Sequence, residues 1–396
     1  MKLYKNLVNS IAETLTDIFV KNKYADKALE KLFKQNPKWG SRDRRFVAEA
    51  VYDIVRNYRL YAELAQSPKN FWFITAVWLI LNDIELPSWQ EFQHVDPAFI
   101  LKQKERLKAQ TAVYQSYPDW LWQLGENELG KNVWETEAIA MNQQAAVVLR
   151  VNTLKTTAQK LKEEFANEKI ETTFIENNAN ALQLAKRENV FKNKYFAEGW
   201  FEVQDAGSQK IGEFVNPKPT DLVIDACAGA GGKSLQLAAL MKNKGKIISM
   251  DVEDWKLEEL KKRAKRAGAF NIETRIINDT KTIEGLNNKA DKILLDVPCS
   301  GLGVIKRNPD AKWKLNLETI ERTKKLQQKI LSDYSSMLKT GGSLIYSTCS
   351  ILPSENKQQV DTFLKANLNF EFIKDNTILP SQGYDGFYMC ELKKTN

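Results

Sequence analysis

Histidine is nearly missing from this chain: its 396 residues contain one, His94, and only four cysteines, none in a Cys-x-x-Cys pair. That scarcity argues against a structural zinc site and a disulfide framework, so no metal is expected. Long apolar runs are also missing. The longest, Phe71 to Leu81, falls far short of a bilayer-spanning helix and reads as a buried core helix. The start, Met1-Lys-Leu-Tyr-Lys-Asn6, lacks the uninterrupted apolar stretch of a secretory signal. A cytoplasmic protein with no membrane partner is expected. No internal repeat or low-complexity linker is found.

What is present describes an ordinary globular chain, 43% hydrophobic and 27% charged, and too long for one core, so two or three domains are expected. The net charge of +8 is unevenly spread. Met1 to Arg59 holds 13 basic and 7 acidic residues, Leu60 to Ala140 6 and 11, and Lys306 to Lys329 8 and 3. Segregated patches suit a nucleic-acid binder, although solvated helix faces on a lysine-rich protein give the same pattern.

Residues 1–140 read as helical. Ser41 can cap a helix in which Phe46, Val47, Ala50, Val51, Ile54, Val55 and Tyr58 recur at helical spacing, with Arg42, Arg44, Arg45, Arg56 and Arg59 giving it a basic side. Seven of ten tryptophans precede Gln143 and read mainly as packing residues. Residues 141–200 read as a small α/β subdomain, with a strand at Val147–Val151 and a helix near Ala158–Asn167. In residues 201–396 strands alternate with helices, the signature of a parallel sheet covered by helices. Strands are predicted at Leu222–Ala226, Lys246–Met250, Thr274–Ile277, Lys292–Leu295, Ser343–Tyr346, Phe370–Ile373 and Phe387–Leu392, the last two as an antiparallel edge pair. Helices are predicted at Lys233–Met241, Lys256–Arg266 and Leu317–Leu338.

Four of these strands deliver a carboxylate: Asp225, Asp251, Asp279 and Asp296. In an open α/β sheet the ligand crevice lies beyond the carboxyl ends of the strands. Four acids on that rim suit hydroxyls and amines and repel phosphate. The first strand runs into Asp225-Ala-Cys-Ala-Gly-Ala-Gly-Gly-Lys233, a glycine loop that lets a ligand approach the backbone. The phosphate-loop spacing fails, because Cys227 stands where its first glycine belongs, and the dinucleotide fingerprint is absent. Asp251 suits a ribose diol, which nicotinamide cofactors and S-adenosylmethionine both possess. Loop and acids together favour a methyltransferase over a dehydrogenase.

Two cysteines at strand ends carry the chemistry. The fourth strand ends Leu-Leu-Asp296-Val-Pro298-Cys299-Ser-Gly301-Leu-Gly303 and the fifth Tyr346-Ser-Thr-Cys349-Ser350. Either could be an inert buried thiol; two that follow strands and precede turn residues suggest reaction. Carbon 5 of cytosine is a poor nucleophile, and thiolate addition at carbon 6 makes it enamine-like. A second group can assist release. With no histidine here, lysine, a helix N-terminus or the sulfonium must support the thiolate. Cys227 and Cys390 read as packing residues, although Cys227 lies in the cofactor loop.

At these residues the chain resembles the RsmB/Sun/Nop family of RNA cytosine-5 methyltransferases. The Pro298–Gly301 and Thr348–Ser350 elements match, as do Arg150-Val-Asn-Thr-Leu-Lys155, Val203-Gln-Asp-Ala-Gly-Ser-Gln209 and Asp385-Gly-Phe-Tyr388. Val304–Trp313 and Ile351-Leu-Pro-Ser-Glu-Asn356 point to the bacterial 16S ribosomal RNA branch. The resemblance spans roughly Arg150 to Lys394 and implies a class I (Rossmann-like) methyltransferase fold using S-adenosylmethionine. It implies Cys349 as nucleophile and Cys299 as the residue assisting release. The loop of Cys227, Ala228, Gly229, Ala230, Gly231, Gly232 and Lys233 would cradle the methionine part of the cofactor. Asp251 would bind the ribose, Asp279 the adenine edge, and Asp296 the methionine amine or the base. Gly229-Ala230 replaces the family's usual Ala-Pro and frees the backbone there. The N-terminal third, residues 1–140, resembles the NusB-like helical RNA-binding domain of the same branch through Ser41-Arg-Asp-Arg-Arg-Phe46.

The implied partner is RNA, ribosomal before transfer RNA, met by a monomer, with no DNA. RNA docking is expected along Met1–Arg59, the middle subdomain and Lys306–Lys329, with the target base unstacked. DNA cytosine-5 methyltransferases use their Pro-Cys cysteine as nucleophile and would not need Cys349. Amino-group methyltransferases carry Asn/Asp-Pro-Pro-Tyr/Phe, which Asp296-Val-Pro-Cys299 does not match. A transfer-RNA methyltransferase of the same family, or a non-catalytic RNA-binding ribosome-assembly factor, are the other readings.

Overall fold

The computed structural model describes residues 3–395 and falls into two compact units. One contains Met1–Gln143 together with Ile305–Leu317; the other contains Gln144–Val304 and Glu318–Asn396. Met1, Lys2 and Asn396, the ends of the expected basic stretch and of the third segment, lie outside the described residues.

The first unit is all-helical. Helices Lys5–Phe19, Ala25–Gln35, Ser41–Arg56, Tyr58–Ala65 and Phe71–Leu81 surround one core. Val8, Ile11 and Leu15 are fully buried at helical spacing, as are Val47, Ala50, Val51, Ile54 and Val55. Phe71–Leu81 is apolar all round and lies in that core, as the sequence predicts. Its first turn is capped by the Asn70 side chain, which accepts from the Phe73 N–H. Trp134 is fully buried and Trp78 and Trp122 nearly so.

Two expectations need correction here. Ser41 does not cap its helix but begins it; Gly40 is the N-cap, extended at φ −70° and ψ 171°, with no side-chain cap bond. Glycine is tolerated at this position, and its carbonyl accepts the Arg44 N–H. Nor is Lys306–Lys329 one exposed basic strip. Lys312 is fully buried and Lys306 nearly so. The Lys312 ammonium donates to the carbonyls of Arg56 and Ser116, at 2.6 and 2.8 Å, and to Asn142 Oδ1 at 3.0 Å. It also sits 4.4 Å from the Tyr117 ring centre. Trp313 beside it packs edge-on to Tyr58 and donates to the Val55 carbonyl. The segment after the Pro-Cys loop is therefore a core element of the helical unit.

The second unit holds two sheets. Strands β1 (Val148–Val151), β2 (Thr172–Ile175), β3 (Asn178–Leu184) and β4 (Phe201–Val203) form an antiparallel sheet in the order β2-β3-β1-β4. The helix Ala158–Asn167 buries Leu161 and Phe165 in its core. The larger sheet contains β5 (Leu222–Asp225), β6 (Lys246–Asp251), β7 (Ile272–Ile276), β8 (Ala290–Asp296), β9 (Leu338–Thr348), β10 (Phe370–Ile378) and β11 (Phe387–Lys394). Their order is β10-β11-β9-β8-β5-β6-β7; β5 to β9 are parallel, and β10 with β11 closes one edge antiparallel. The central strands bury both faces, hence the continuous apolar runs Val223–Ile224 and Ile293–Leu295. All seven predicted strands form, most of them longer than predicted.

Candidate active site

The winding direction reverses between β5 and β8, so the chains leaving their carboxyl ends diverge and open a crevice. A cavity of about 240 Å³ lies there, lined by Asp225, Cys227, Lys233, Asp296, Gln204 and Ser208 among others.

Four consecutive anchors hold the glycine loop. Gly229 N–H donates to Asp251 Oδ2 at 2.9 Å, and Arg263 donates to the Ala230 carbonyl at 2.8 Å. The Gly231 N–H returns to the Ala228 carbonyl, and Arg150 donates to the Gly232 carbonyl at 2.5 Å. Arg263 is itself tied to Glu202 at 2.9 Å. The freedom expected from Gly229-Ala230 is thus removed by side chains outside the loop. Gly231 has φ +83°, and a Cβ there would lie 2.4 Å from Leu260 Cγ; only glycine fits. The helix Gly232–Leu240 starts immediately after it.

Electrostatics divide the site. Asp225 is almost completely buried; its Oδ2 accepts from Ser234, while Oδ1 has no partner. Burial, with help from Asp296 and Asp251, pushes its carboxyl up to about 6. Lys233 Nζ lies 2.5 Å from Asp296 Oδ2. Burial opposes its charge, but Asp296, with Cys349 and Asp225, outweighs that and raises the ammonium. Ser347 donates to the other Asp296 oxygen at 3.0 Å.

The two cysteine loops meet. Cys299 Sγ and Cys349 Sγ are 3.2 Å apart, both partly exposed. Contact with Cys349, then burial, then the charge of Glu355 raise the Cys299 thiol well above its ordinary value. Close backbone packing steadies the pair: Gly303 N–H donates to the Cys349 carbonyl, and Gly386 N–H to the Gly303 carbonyl. A Cβ on Gly303 would lie 2.2 Å from the Gly386 carbonyl oxygen.

The structure therefore gathers Cys299, Cys349, Lys233, Asp296 and the loop. Asp251 holds that loop at its far side, and its Oδ1 accepts the Glu253 N–H. Asp279 is different: it is exposed, and its Oδ1 caps the helix Thr280–Glu284 by accepting from Thr282. Cys227 lines the cavity, and burial, followed by Asp225, drives its thiol far up, as befits a packing residue. Cys390 is buried in the core. Sequence reasoning missed Gln327 and Arg263, whose roles depend on partners distant in the chain; Arg150, Ser347 and Glu355 stood only inside quoted motifs, with no role given. Among the described residues no cluster could hold a metal ion, and no helix is long and apolar enough to cross a membrane.

A doubly wound sheet with a glycine loop after its first strand and acids along its rim defines a class I S-adenosylmethionine-dependent methyltransferase. The residues fit that cofactor: the unpartnered Asp225 oxygen and the cavity can take a cationic amino acid. Residues 213–393 match the family described as 16S rRNA methyltransferase RsmB/F, and residues 117–191 match its ferredoxin-like domain. The chain is 30% identical to the probable ribosomal RNA small subunit methyltransferase B of a Synechocystis species, covering 96% of this chain and 97% of that one. It is 32% identical to the Bacillus subtilis protein of the same description, over 72% and 67%. The crystal structure of a methyltransferase homolog from Pyrococcus horikoshii superposes with a TM-score of 0.63 at 26% identity, covering 72% of this chain and 98% of that one. The chain belongs to the RsmB/F family and is an RNA methyltransferase.

Proposed function

We propose that the protein makes 5-methylcytosine in small-subunit ribosomal RNA, with Cys349 as nucleophile and Cys299 assisting release. One observation carries this reading: two thiols from different strand ends lie 3.2 Å apart, with Cys349 acting on Lys233, which lines the cofactor crevice. The Cys349 sulfur adds to carbon 6 of the cytosine, making carbon 5 electron-rich. Bound S-adenosylmethionine supplies an electrophilic methyl group. Carbon 5 takes that methyl group and then loses its proton to a base. The carbon 6–sulfur bond breaks, which restores the aromatic ring and frees the thiol. Lys233, whose ammonium is favoured by Asp296 and Cys349, is the cation placed to assist attack by the Cys349 sulfur. Asp296 holds Lys233 and orients the base or the methionine amine.

The loop from Cys227 to Lys233 cradles the methionine part, Asp251 takes the ribose and Asp279 the adenine edge. The names of the relatives support small-subunit ribosomal RNA as substrate, and the family description supports 16S rRNA. Phosphates would meet exposed basic residues such as Arg42 and Arg45 of the helical unit. Bisulfite sequencing of total RNA from cells with and without Cys349→Ala tests the reading. One cytosine losing protection in the variant supports it and names the position. Unchanged protection everywhere removes either Cys349 as nucleophile or RNA cytosine as target.

A further inference from the structure

Beneath the paired thiols lies a carboxylate to which the chemistry above gives no part. Glu355 is fully buried. Its Oε1 accepts from Ser300 N–H at 2.8 Å and from Gln327 Nε2 at 3.1 Å; its Oε2 accepts from the hydroxyls of Ser300 and Ser350, the latter at 2.5 Å. Each serine directly follows one of the two cysteines. Gln327 also donates to the carbonyl of Pro298, which precedes Cys299. Isolated buried carboxylates are costly and are retained where hydrogen bonds satisfy them. Here each of these donors is neutral, and three of the four belong to the cysteine loops.

We propose that Glu355 is a positioning residue that ties the Cys299 and Cys349 loops into one unit and sets the separation of their sulfurs. The inference rests on the cytosine reading above for its catalytic consequence, but not for the tie itself. Through Ser300 and Ser350 one carboxylate fixes both backbones, so neither loop shifts without the other. Glu355 also contributes to raising the Cys299 thiol. The other titratable groups facing Cys299 are Cys349 and Tyr346.

The test uses Glu355→Gln in the full chain, which keeps the shape and one acceptor oxygen while the serine hydroxyls can turn to accept from the amide. The first readout is iodoacetamide alkylation of the free protein, resolved by peptide mass spectrometry, without RNA or cofactor. The alkylation rates of Cys299 and Cys349 relative to one another should shift roughly tenfold in the variant, because the tie that sets their separation is weakened when its charged acceptor is replaced. Single-turnover methylation should fall about tenfold or more, since small misplacements of reacting groups are costly, with S-adenosylmethionine affinity held within about twofold. Unchanged cysteine reactivity in a folded Glu355→Gln protein overturns the proposal. Ser300→Ala and Ser350→Ala form a double-mutant cycle that decides the matter even if Glu355→Gln does not fold. Both break one tie, so the second substitution should add little, and additive losses overturn it. A wild-type protein that methylates no cytosine sinks the function reading, while alkylation still decides the tie.

Discussion

Lys233 and Asp296, supplied by the helix after β5 and by the end of β8, form a 2.5 Å ion pair on the floor of the cofactor crevice. Each is half of a desolvated pair, so removing one leaves the other charge without its counter-ion. Lys233→Met should lower single-turnover methylation by about a hundredfold or more, the scale expected for losing a preorganised charge at a reacting centre. Lys233→Arg should not restore it, because a planar guanidinium cannot occupy the space of a compact ammonium. Rapid-quench assays with saturating cofactor would show this; wild-type rates in Lys233→Met would remove the residue from catalysis.

The two cysteines should separate by their covalent chemistry. Cys299→Ala should accumulate a denaturant-stable protein–RNA adduct during turnover, and Cys349→Ala should form none. Gel shifts after denaturation, with methylated cofactor present, read this directly. The opposite pattern would assign attack to Cys299, as in the DNA enzymes.

Asp225 predicts an unusual pH slope. Its folded value, about 6, exceeds the ordinary carboxylate value, so between roughly pH 4 and 6 the folded state holds a proton that the unfolded state has released. Stability contributed by this group is therefore present at low pH and lost as pH rises through that window, by about 3 kcal/mol in all at 1.36 kcal/mol per unit. Denaturant titrations from pH 4 to 7 should show the loss in wild type, and Asp225→Asn should flatten it. An identical slope in the variant would place the titration elsewhere.

Gly231 and Gly229 should respond differently to alanine. Gly231→Ala combines a positive φ with a Cβ driven into Leu260, whereas nothing lies within 4 Å of a Cβ at Gly229, φ +53°. The second change should cost about 1 kcal/mol of backbone strain, and the first distinctly more, together with cofactor affinity. Calorimetry and thermal unfolding on the two variants make the comparison.

Lys312→Met should destabilise the helical unit by about 3 kcal/mol, because the Arg56 and Ser116 carbonyls and Asn142 Oδ1 lose their common donor. It should leave the salt dependence of RNA binding unchanged, since the side chain is fully buried. A weaker salt slope with intact stability would return Lys312 to the RNA-binding surface.

The catalytic sheet was legible because its strands are written as apolar runs between helices and end in acids or in cysteine motifs. Asp225, Cys299 and Cys349 could be assigned to a shared rim from strand ends alone. Glu355 could not: a glutamate in a short turn looks solvated until two serines fifty residues apart in sequence are seen to converge on it. Lys312 failed for a related reason. A lysine among basic neighbours reads as surface charge, and only carbonyls presented by remote helix ends make burial tolerable. Ser41 missed its cap by one residue, since Gly40 supplies an extended backbone equally well. Arginines on the cofactor loop answered what the absence of proline had left open.

The placement of Ile305–Leu317 in the helical unit also bears on biosynthesis. Domains usually mature in the order in which they leave the ribosome. This amino-terminal unit cannot, because Lys312 and Trp313 emerge only after β8 and the Pro-Cys loop have been made. The nascent helices must wait, with a gap where Trp313 will lodge, until much of the catalytic sheet is already outside the exit tunnel. A stop codon anywhere between residues 143 and 305 would therefore release an unfinished helical unit rather than a free-standing RNA-binding fragment.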